Sequence, residues 1–269
     1  AVGAPMNVGG PVLAPDGSIL VGAVPGQGSG GSAGRIRRIT PDGIIGTVLG
    51  YGALTALVDH CDRNGITLIA DEIHHGIVHG PAPAPTVLDH TDRAVVINSF
   101  SKYFSMTGWR IGWMVVPDEL VDTVVRLQQN LYICAPHVSQ IAALAAFDAT
   151  DELDAHVARY AVNRGVLLDG LAAAGITEVA DADGAFYVYA DLRRGQAADH
   201  DRLGELVAAG GSMAVCRTWL DEIGVAATPG IDFDLGRGER FVRFSYAGRT
   251  DHVVEACTLV GDWMDGRTR

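Results

Sequence analysis

The stretch that decides the fold reads Asn98-Ser-Phe-Ser-Lys-Tyr-Phe-Ser-Met-Thr-Gly-Trp-Arg-Ile-Gly-Trp113. It follows a short apolar run at 94–97 that predicts a strand, so Lys102 lies just past a strand end among hydroxyl and aromatic side chains. Ligand sites of open α/β sheets lie at the carboxyl ends of strands. Apolar neighbours disfavour an ammonium ion, and a neutral lysine amine can form a Schiff base. Lys102 is therefore a candidate catalytic residue, and a solvated surface lysine is an equally weighted alternative.

Polar side chains near Lys102 can complete a site for a phosphorylated ligand. Ser99, Ser101 and Arg110 offer the hydroxyl and guanidinium donors that bind phosphate. Asp71 closes the preceding apolar run, and a carboxylate at a strand end can hold a cationic ring nitrogen. A strand-ending or N-capping aspartate is the commoner use of such a position. Because Asp71 and Lys102 both follow predicted strands, together they favour a site over either residue alone.

The chain from residue 50 onward predicts an α/β architecture in two regions. In the first, strands are predicted at 66–70, 94–97 and 111–116, with helices at 51–64, 118–130, 137–149 and 151–174. Short apolar runs separated by helices predict parallel strands covered on both faces. In the second, strands are predicted at 186–190, 225–227 and 241–245, with helices at 203–223, broken at Gly210-Gly211, and at 250–265. The long helix near 151–174 links the two regions.

Composition narrows the classes of function. The formal net charge of −12 argues against binding to nucleic acid or to an anionic membrane surface. With 48% hydrophobic and 19% charged residues, the chain can bury a core, which rules out disorder of the whole chain. The four cysteines show no paired spacing, so we expect reduced, buried thiols in a cytoplasmic protein. No apolar run reaches the length of about 18 residues that a membrane span needs.

The first 45 residues differ from the rest. They contain no aromatic residue and no clear helical or alternating period, which indicates either linker-like material or weakly paired strands. Gly26, Gly28 and Gly31 match a dinucleotide-binding pattern formally. No predicted strand clearly leads into these glycines and no predicted helix clearly follows, so the linker interpretation is preferred.

Four sequence blocks carry a resemblance to the class I/II aminotransferases, which are fold type I pyridoxal-phosphate enzymes. The most specific is Ser99-Phe-Ser-Lys-Tyr-Phe-Ser-Met-Thr-Gly-Trp-Arg110, which resembles the family's cofactor-attachment motif. Asp71-Glu-Ile, Gly184-Ala-Phe-Tyr187 and Val242-Arg-Phe-Ser-Tyr-Ala247 resemble further blocks in the same order. The resemblance covers roughly residues 46–269. It implies a mostly parallel sheet in a partial large domain at 46–150, preceded by a glycine-rich irregular segment at 1–45. A bridging helix and a smaller C-terminal α/β domain occupy 151–269.

The resemblance also implies roles for individual residues. Lys102 would attach pyridoxal 5′-phosphate, and Asp71 would pair with the pyridinium nitrogen. Ser99 and Arg110 would bind the cofactor's phosphate, and Arg243 would take the substrate carboxylate through a bidentate fork. The implied partners are an amino acid, a 2-oxo acid and a second copy of the chain in a homodimer.

Three departures from the family pattern stand out. His74 occupies the position of a tyrosine that bonds the cofactor's ring oxygen, and imidazole can also donate there. Gly46 fits the last glycine of an Asn-Pro-Thr-Gly block, but the preceding Gly43-Ile44-Ile45 lacks its asparagine. The phosphate-gripping loop is not recognisable in residues 1–45, which are a diverged stretch, the start of a fragment or sequence in a shifted frame. We therefore expect weak cofactor retention and low or no transaminase activity.

Three functions remain open after these observations. An aminotransferase is favoured by the lysine block. A carbon–sulfur lyase of the same fold is the alternative enzyme, because some such lyases carry the tetrapeptide Asp71-Glu-Ile-His74. A catalytically impaired binding protein would account for the missing asparagine and phosphate loop. His74, His75 and His79 also suggest a metal site, but their spacing lacks the glutamate of the metalloprotease pattern, so we expect no metal.

Overall fold

The computed structural model describes residues 54–80, 84–192 and 202–267 in full and, within residues 8–49, the backbone of four strands. These four strands form one antiparallel sheet in chain order: β1 (Val8–Leu13), β2 (Ile19–Ala23), β3 (Arg35–Ile39) and β4 (Ile45–Leu49). Of the two interpretations of the N-terminal region, linker-like material or paired strands, these four segments follow the second. The boundary drawn between residues 45 and 46 falls at the start of β4. The glycines of the dinucleotide-like pattern, together with Gly43 and Ile44, lie outside the described residues.

A second sheet carries the strand ends that the sequence predicts for the site. Helix α1 (Leu54–Arg63) ends before Gly65, which has a φ of +64°, and is followed by β5 (Ile69–Asp71), β6 (Val95–Ser99) and β7 (Gly112–Val115). The order is β5-β6-β7, with β5 parallel to β6 and β6 antiparallel to β7. The α/β class is confirmed, and the sheet is mixed.

The prediction of parallel strands covered on both faces is wrong for β7. The segment between β6 and β7 contains only a 3-10 turn at Thr107–Trp109, and no helix returns the chain to the opposite edge of the sheet. The chain therefore reverses, and all four β7 residues are exposed. Gly112 allows the close pairing, since a Cβ at this position would come 2.6 Å from Asn98 O.

Three helices follow β7 in the order that the sequence predicts. They are α2 (Asp118–Leu131), α3 (His137–Ala146) and the long α4 (Thr150–Ala173). Asp118 and Glu119 occupy the first turn of α2, where carboxylates complement the helix dipole. One face of α4 is buried along Leu153, Tyr160, Asn163, Leu167 and Leu171, the spacing of a helix packed on one side.

The C-terminal region forms a third sheet with two helices. Its elements are β8 (Tyr187–Asp191), α5 (Arg202–Ile223), β9 (Thr228–Pro229), β10 (Phe241–Ser245) and α6 (Thr250–Met264). The order is β8-β10-β9, and β10 is antiparallel to both neighbours. As predicted, α5 is broken at Gly210 and Gly211, and the φ of +62° at Gly211 explains the glycine.

Most of the buried apolar residues belong to a core between α4, α5, α6 and the third sheet. Trp219 and Trp263 lie at its centre, almost fully buried. Ile77 and Tyr103, which lie on the other side of the boundary drawn at residue 150, also pack into this core. A smaller cluster joins α1 to β6 through residues such as Val58 and Val96. The division of the chain into domains stays a prediction, and these contacts cross it.

All four cysteines of the chain lie within the described residues. All four cysteines are free, and Cys61 and Cys216 are buried, which raises the pKa of both thiols. Cys134 is exposed, so the expectation of burial is wrong for that residue, which lies in the segment between α2 and α3. Among the described residues, no helix combines the length and apolarity needed to cross a bilayer.

Candidate active site

Asp71 is the last residue of β5, and its carboxylate lies at the carboxyl end of the second sheet. Its Oδ1 accepts a hydrogen bond from Ile73 N at 3.1 Å. Burial raises the pKa of Asp71, while that hydrogen bond and the charge of Lys102 act in the opposite direction. The neighbouring Glu72 is buried and accepts from Val87 N at 2.8 Å and Thr86 Oγ1 at 3.0 Å. Glu72 thereby fixes the turn that presents Asp71.

His74 lies within the same turn, with a neutral imidazole. Its ring packs edge-on against Phe186 and Tyr187, at centroid distances of 6.0 and 5.9 Å. Burial lowers the pKa of His74 to about 4, and the charges of Lys102 and Arg243 act in the same direction. Its Nε2 is buried and has no hydrogen-bond partner within the described part of the chain. A buried ring nitrogen of this kind is ready to bond to a ligand.

Lys102 lies in a tight turn beyond β6. Ser105 N donates to Lys102 O at 3.0 Å, and Ser105 has the left-handed φ of 55°. The Lys102 amine lies 5.7 Å from the centroid of the Phe186 ring, near the outer limit for a cation–π contact. The Lys102 charge acts on both Asp71 and His74. Lys102 is the only lysine in the sequence, a signal that motif reasoning alone overlooks.

Ser99 and Arg110 lie at the same end of the β6–β7 pair, but their side chains bond elsewhere. Ser99 Oγ donates to Ser101 Oγ at 2.9 Å and approaches Ile111 O at 3.3 Å. Arg110, which is exposed and has the left-handed φ of 52°, donates from Nη1 to Thr107 O at 3.0 Å. These hydroxyl and guanidinium donors are thus held near one strand end, without a shared contact among the described residues.

Arg243, on β10, lies between two aromatic rings. Its guanidinium carbon is 4.3 Å from the centroid of Tyr187 and 4.2 Å from that of Phe233. Both rings cover the guanidinium faces, so the N–H groups at its edge remain for a carboxylate. Arg243 Nε is buried with no partner in the described ranges. The sequence indicates Arg243 but not the two rings, because Phe233 reaches it from a loop after β9.

The aromatic residues of the site are positioned by a hydrogen-bonded cluster at the start of β8. His79 Nε2 lies 2.8 Å from Ala185 O, and the Tyr246 hydroxyl donates to the same oxygen at 3.2 Å. Ala185 N donates to Ile77 O, and Ala185 itself has a positive φ of 57°. This arrangement directs the next residue, Phe186, toward Lys102.

The structure therefore places Lys102 within electrostatic range of both Asp71 and His74, and Arg243 within range of His74. An amine, a carboxylate, an unpartnered buried imidazole nitrogen and a guanidinium are the donor and acceptor set that pyridoxal 5′-phosphate and an amino acid require, so the residues present fit that cofactor. The three histidines do not converge: His75 pairs with Glu72, whereas His79 contacts Ala185. Within the described ranges no cluster of three or more potential ligands is arranged for a metal.

Comparison with known proteins adds an independent line of evidence. The model of the family "Aminotransferase class I and II" matches residues 41–258. The match begins slightly before Gly46 and includes all six candidate site residues.

Individual proteins are similar over most of this chain. A valine–pyruvate aminotransferase of Mycobacterium tuberculosis is 45% identical over 228 residues, which is 84% of this chain and 55% of that protein. A (5-formylfuran-3-yl)methyl phosphate transaminase of Methanocaldococcus jannaschii is 32% identical, over 74% of this chain and 50% of that protein. The crystal structure of an aminotransferase from Mycobacterium tuberculosis superposes with a TM-score of 0.71 at 44% identity, covering 79% of this chain and 52% of that one. The chain spans about half the length of these relatives.

Proposed function

The chain belongs to the class I and II aminotransferase family, and from this premise we propose that it moves an amino group between an amino acid and a 2-oxo acid, with pyridoxal 5′-phosphate as cofactor. One observation carries the proposal. The only lysine of the sequence lies beyond a strand end, within electrostatic range of Asp71 and His74. A lysine in this position, with these neighbouring side chains, meets the requirements for covalent cofactor binding.

The bound cofactor supplies an electron sink that makes the Cα proton of an amino acid acidic. In the proposal Lys102 would hold the cofactor, and the free amine of its Nζ would take the Cα proton and return it. Asp71 keeps a proton on the ring nitrogen by placing a carboxylate beside it. The neutral imidazole of His74 donates to the ring oxygen, and Ser99 contributes to the phosphate site.

Two guanidinium groups complete the proposed binding. Arg110 shares the phosphate with Ser99, since both lie at the same end of β6 and β7. Arg243 binds the substrate carboxylate through the edge that Tyr187 and Phe233 leave open. The name of the 45% identical relative supports valine and pyruvate as the first pair of substrates to assay.

A carbon–sulfur lyase is the second candidate, because Asp71-Glu-Ile-His74 places an imidazole where the family pattern has a phenol. The products formed from each pair of substrates distinguish the two reactions. An aminotransferase converts valine and pyruvate to 2-oxoisovalerate and alanine, whereas a lyase releases pyruvate, ammonia and a thiol from a cysteine thioether. We propose the first because the relatives reported above are named aminotransferases or transaminases.

The test of the proposal is covalent labelling at Lys102. The chain is incubated with pyridoxal 5′-phosphate, reduced with borohydride and digested, and the pyridoxyl group is located by mass spectrometry. We expect the label on Lys102 and its loss in Lys102→Ala, with Arg217→Ala, on the exposed side of α5, as a control that keeps it. A parent chain that takes up no label at excess cofactor would contradict the proposal and favour the binding-protein alternative.

A homodimer is also part of the proposal. Helices α2 and α3 and the segment between them expose several large apolar side chains, among them Leu131, Ile133, Val138 and Leu144. Exposed apolar patches of this kind mark protein interfaces. The cytoplasmic location expected from composition stays a prediction.

A further inference from the structure

Tyr103, the residue after Lys102, is anchored on two sides. Its ring lies against Gly76, where an added Cβ would come 2.6 Å from Tyr103 Cδ2. Its hydroxyl donates to Asp154 Oδ1 at 2.6 Å, which links the Lys102 turn to α4. Burial raises the pKa of Tyr103 to about 12, and the hydrogen bond to Asp154 acts in the same direction, so the hydroxyl keeps its proton.

Gly76 ends the turn that carries two other site residues. This turn begins at Asp71 and includes His74, and Ile77 beyond it is almost fully buried. Gly76 has a φ of +89°, so the position favours glycine for its backbone as well as for the space that the Tyr103 ring takes. The Tyr103 ring thus rests on the turn that presents Asp71 and His74.

A second contact ties the Lys102 turn to α4. Ser105 Oγ lies 3.2 Å from Nδ1 of His156, which is two residues after Asp154 in the helix. Residues 102–105 are closed by the hydrogen bond from Ser105 N to Lys102 O. The turn at residues 102–105 is therefore closed by its own hydrogen bond and attached to α4 through Tyr103 and Ser105. The main remaining freedom of Lys102 is in its side-chain torsions.

We propose that Tyr103 is a positioning residue that fastens the Lys102 turn to α4 and to Gly76 and thereby keeps the Lys102 amine directed toward Asp71 and His74. The proposal rests on the proposed function for the chemistry that Lys102 performs, whereas the anchoring is a property of the chain alone. When Tyr103 is released, the amine is expected to spend more time in solvent and less beside Phe186.

The single lysine makes this direction measurable without cofactor. The cofactor-free chain is treated with N-acetoxysuccinimide, and acetylation of Lys102 is followed by mass spectrometry against an added lysine-containing peptide. Tyr103→Phe keeps the ring and removes the hydroxyl. We expect Lys102 to be acetylated about threefold to tenfold faster, the range for the net contribution of one solvent-exposed hydrogen bond.

Variants of Asp154 separate positioning from a general loss of stability. Asp154→Ala is expected to reproduce the rate of Tyr103→Phe, and Asp154→Asn, which keeps an acceptor oxygen, to restore the parent rate. The double variant Tyr103→Phe/Asp154→Ala is expected to react no faster than either single variant, because both remove one interaction. Glu152→Ala, in an exposed acidic position on the same helix, is the control that leaves the rate unchanged.

Gly76→Ala tests the other anchor. Gly80→Ala is its control, because none of the residues that the structure describes lies within 4 Å of a Cβ at Gly80. We expect faster acetylation for Gly76→Ala alone. Parent rates in both Tyr103→Phe and Asp154→Ala would overturn the proposal, as would an acceleration fully explained by the unfolded fraction measured in urea. Failure of Lys102 to take up cofactor would contradict the proposed function and would leave the acetylation result standing.

Discussion

Burial lowers the pKa of His74 to about 4 because the imidazolium would be enclosed by aromatic rings and two cationic side chains. At the scale of one residue, this enclosure keeps the imidazole of His74 neutral beside the charges of Lys102 and Arg243. The same enclosure carries a cost at low pH, since the unfolded chain can protonate this histidine freely.

Stability is therefore expected to depend on pH through His74. Between pH 6.5 and 4 the unfolded state binds more protons than the folded one, so the free energy of unfolding falls as pH decreases, by at most about 3 kcal/mol from this residue. Urea unfolding of the parent and of His74→Gln across this range measures the difference. His79, whose pKa is also lowered, is present in both chains. Equal pH dependence in the two chains would contradict the assignment.

Asp71 gives a second prediction at this scale. In Asp71→Ala the cofactor is still expected to attach to Lys102, because the amine is untouched, whereas removal of the Cα proton is expected to become at least about a hundredfold slower. The measurement is the loss of deuterium from α-deuterated valine, followed by mass spectrometry. A variant that exchanges deuterium at the parent rate would show that Asp71 only ends a strand and holds Ile73 N.

At the scale of elements, the sequence predicts most helices and strands from α1 onward within a few residues, because their apolar residues recur at helical spacing or in short runs. It does not predict the direction of β7, since an apolar run looks the same in either orientation. The strand near 225–227 is displaced to Thr228–Pro229, where β10 supplies a pairing edge. The site residues that can be predicted from the sequence are those in one continuous motif, such as Lys102 in the block at 99–110. The roles of Tyr103, Phe186 and Phe233 depend on contacts between distant segments.

Two glycines of α4 test the packing of this helix against α6. Within the described ranges a Cβ at Gly165 meets nothing within 4 Å, so Gly165→Ala is expected to stabilise the chain by about 0.5–1 kcal/mol. A Cβ at Gly170 would come 2.5 Å from Cys257 Sγ, so Gly170→Ala is expected to destabilise it by about 1–3 kcal/mol. Urea titration measures both changes. The same sign for both would show that α4 and α6 do not approach as described.

At the scale of the molecule, the apolar surface of α2 and α3 predicts self-association. We expect light scattering to show a mass rising from 28.3 kDa toward twice that value with concentration. Leu144→Glu is expected to shift the equilibrium toward the monomer, because it places a charge on this surface. Leu235→Glu, at an 89% exposed position in the loop after β9, is the matched control. A parent chain that stays monomeric at every concentration would contradict the homodimer.

The burial of Ile77 in the C-terminal core has a consequence for how the molecule opens. Ile77 O accepts a hydrogen bond from Ala185 N, and His79 N donates to Asp183 O. The segment 77–79 is therefore hydrogen-bonded to the residues just before β8. Its amides are expected to exchange with solvent together with those of β8 and β10, as one cooperative unit, and more slowly than those of β5. Native-state hydrogen exchange resolves these groups. The unit that unfolds last would then include the segment 77–79, which follows β5 in the chain. Exchange of His79 together with β5 would instead exclude this segment from that unit.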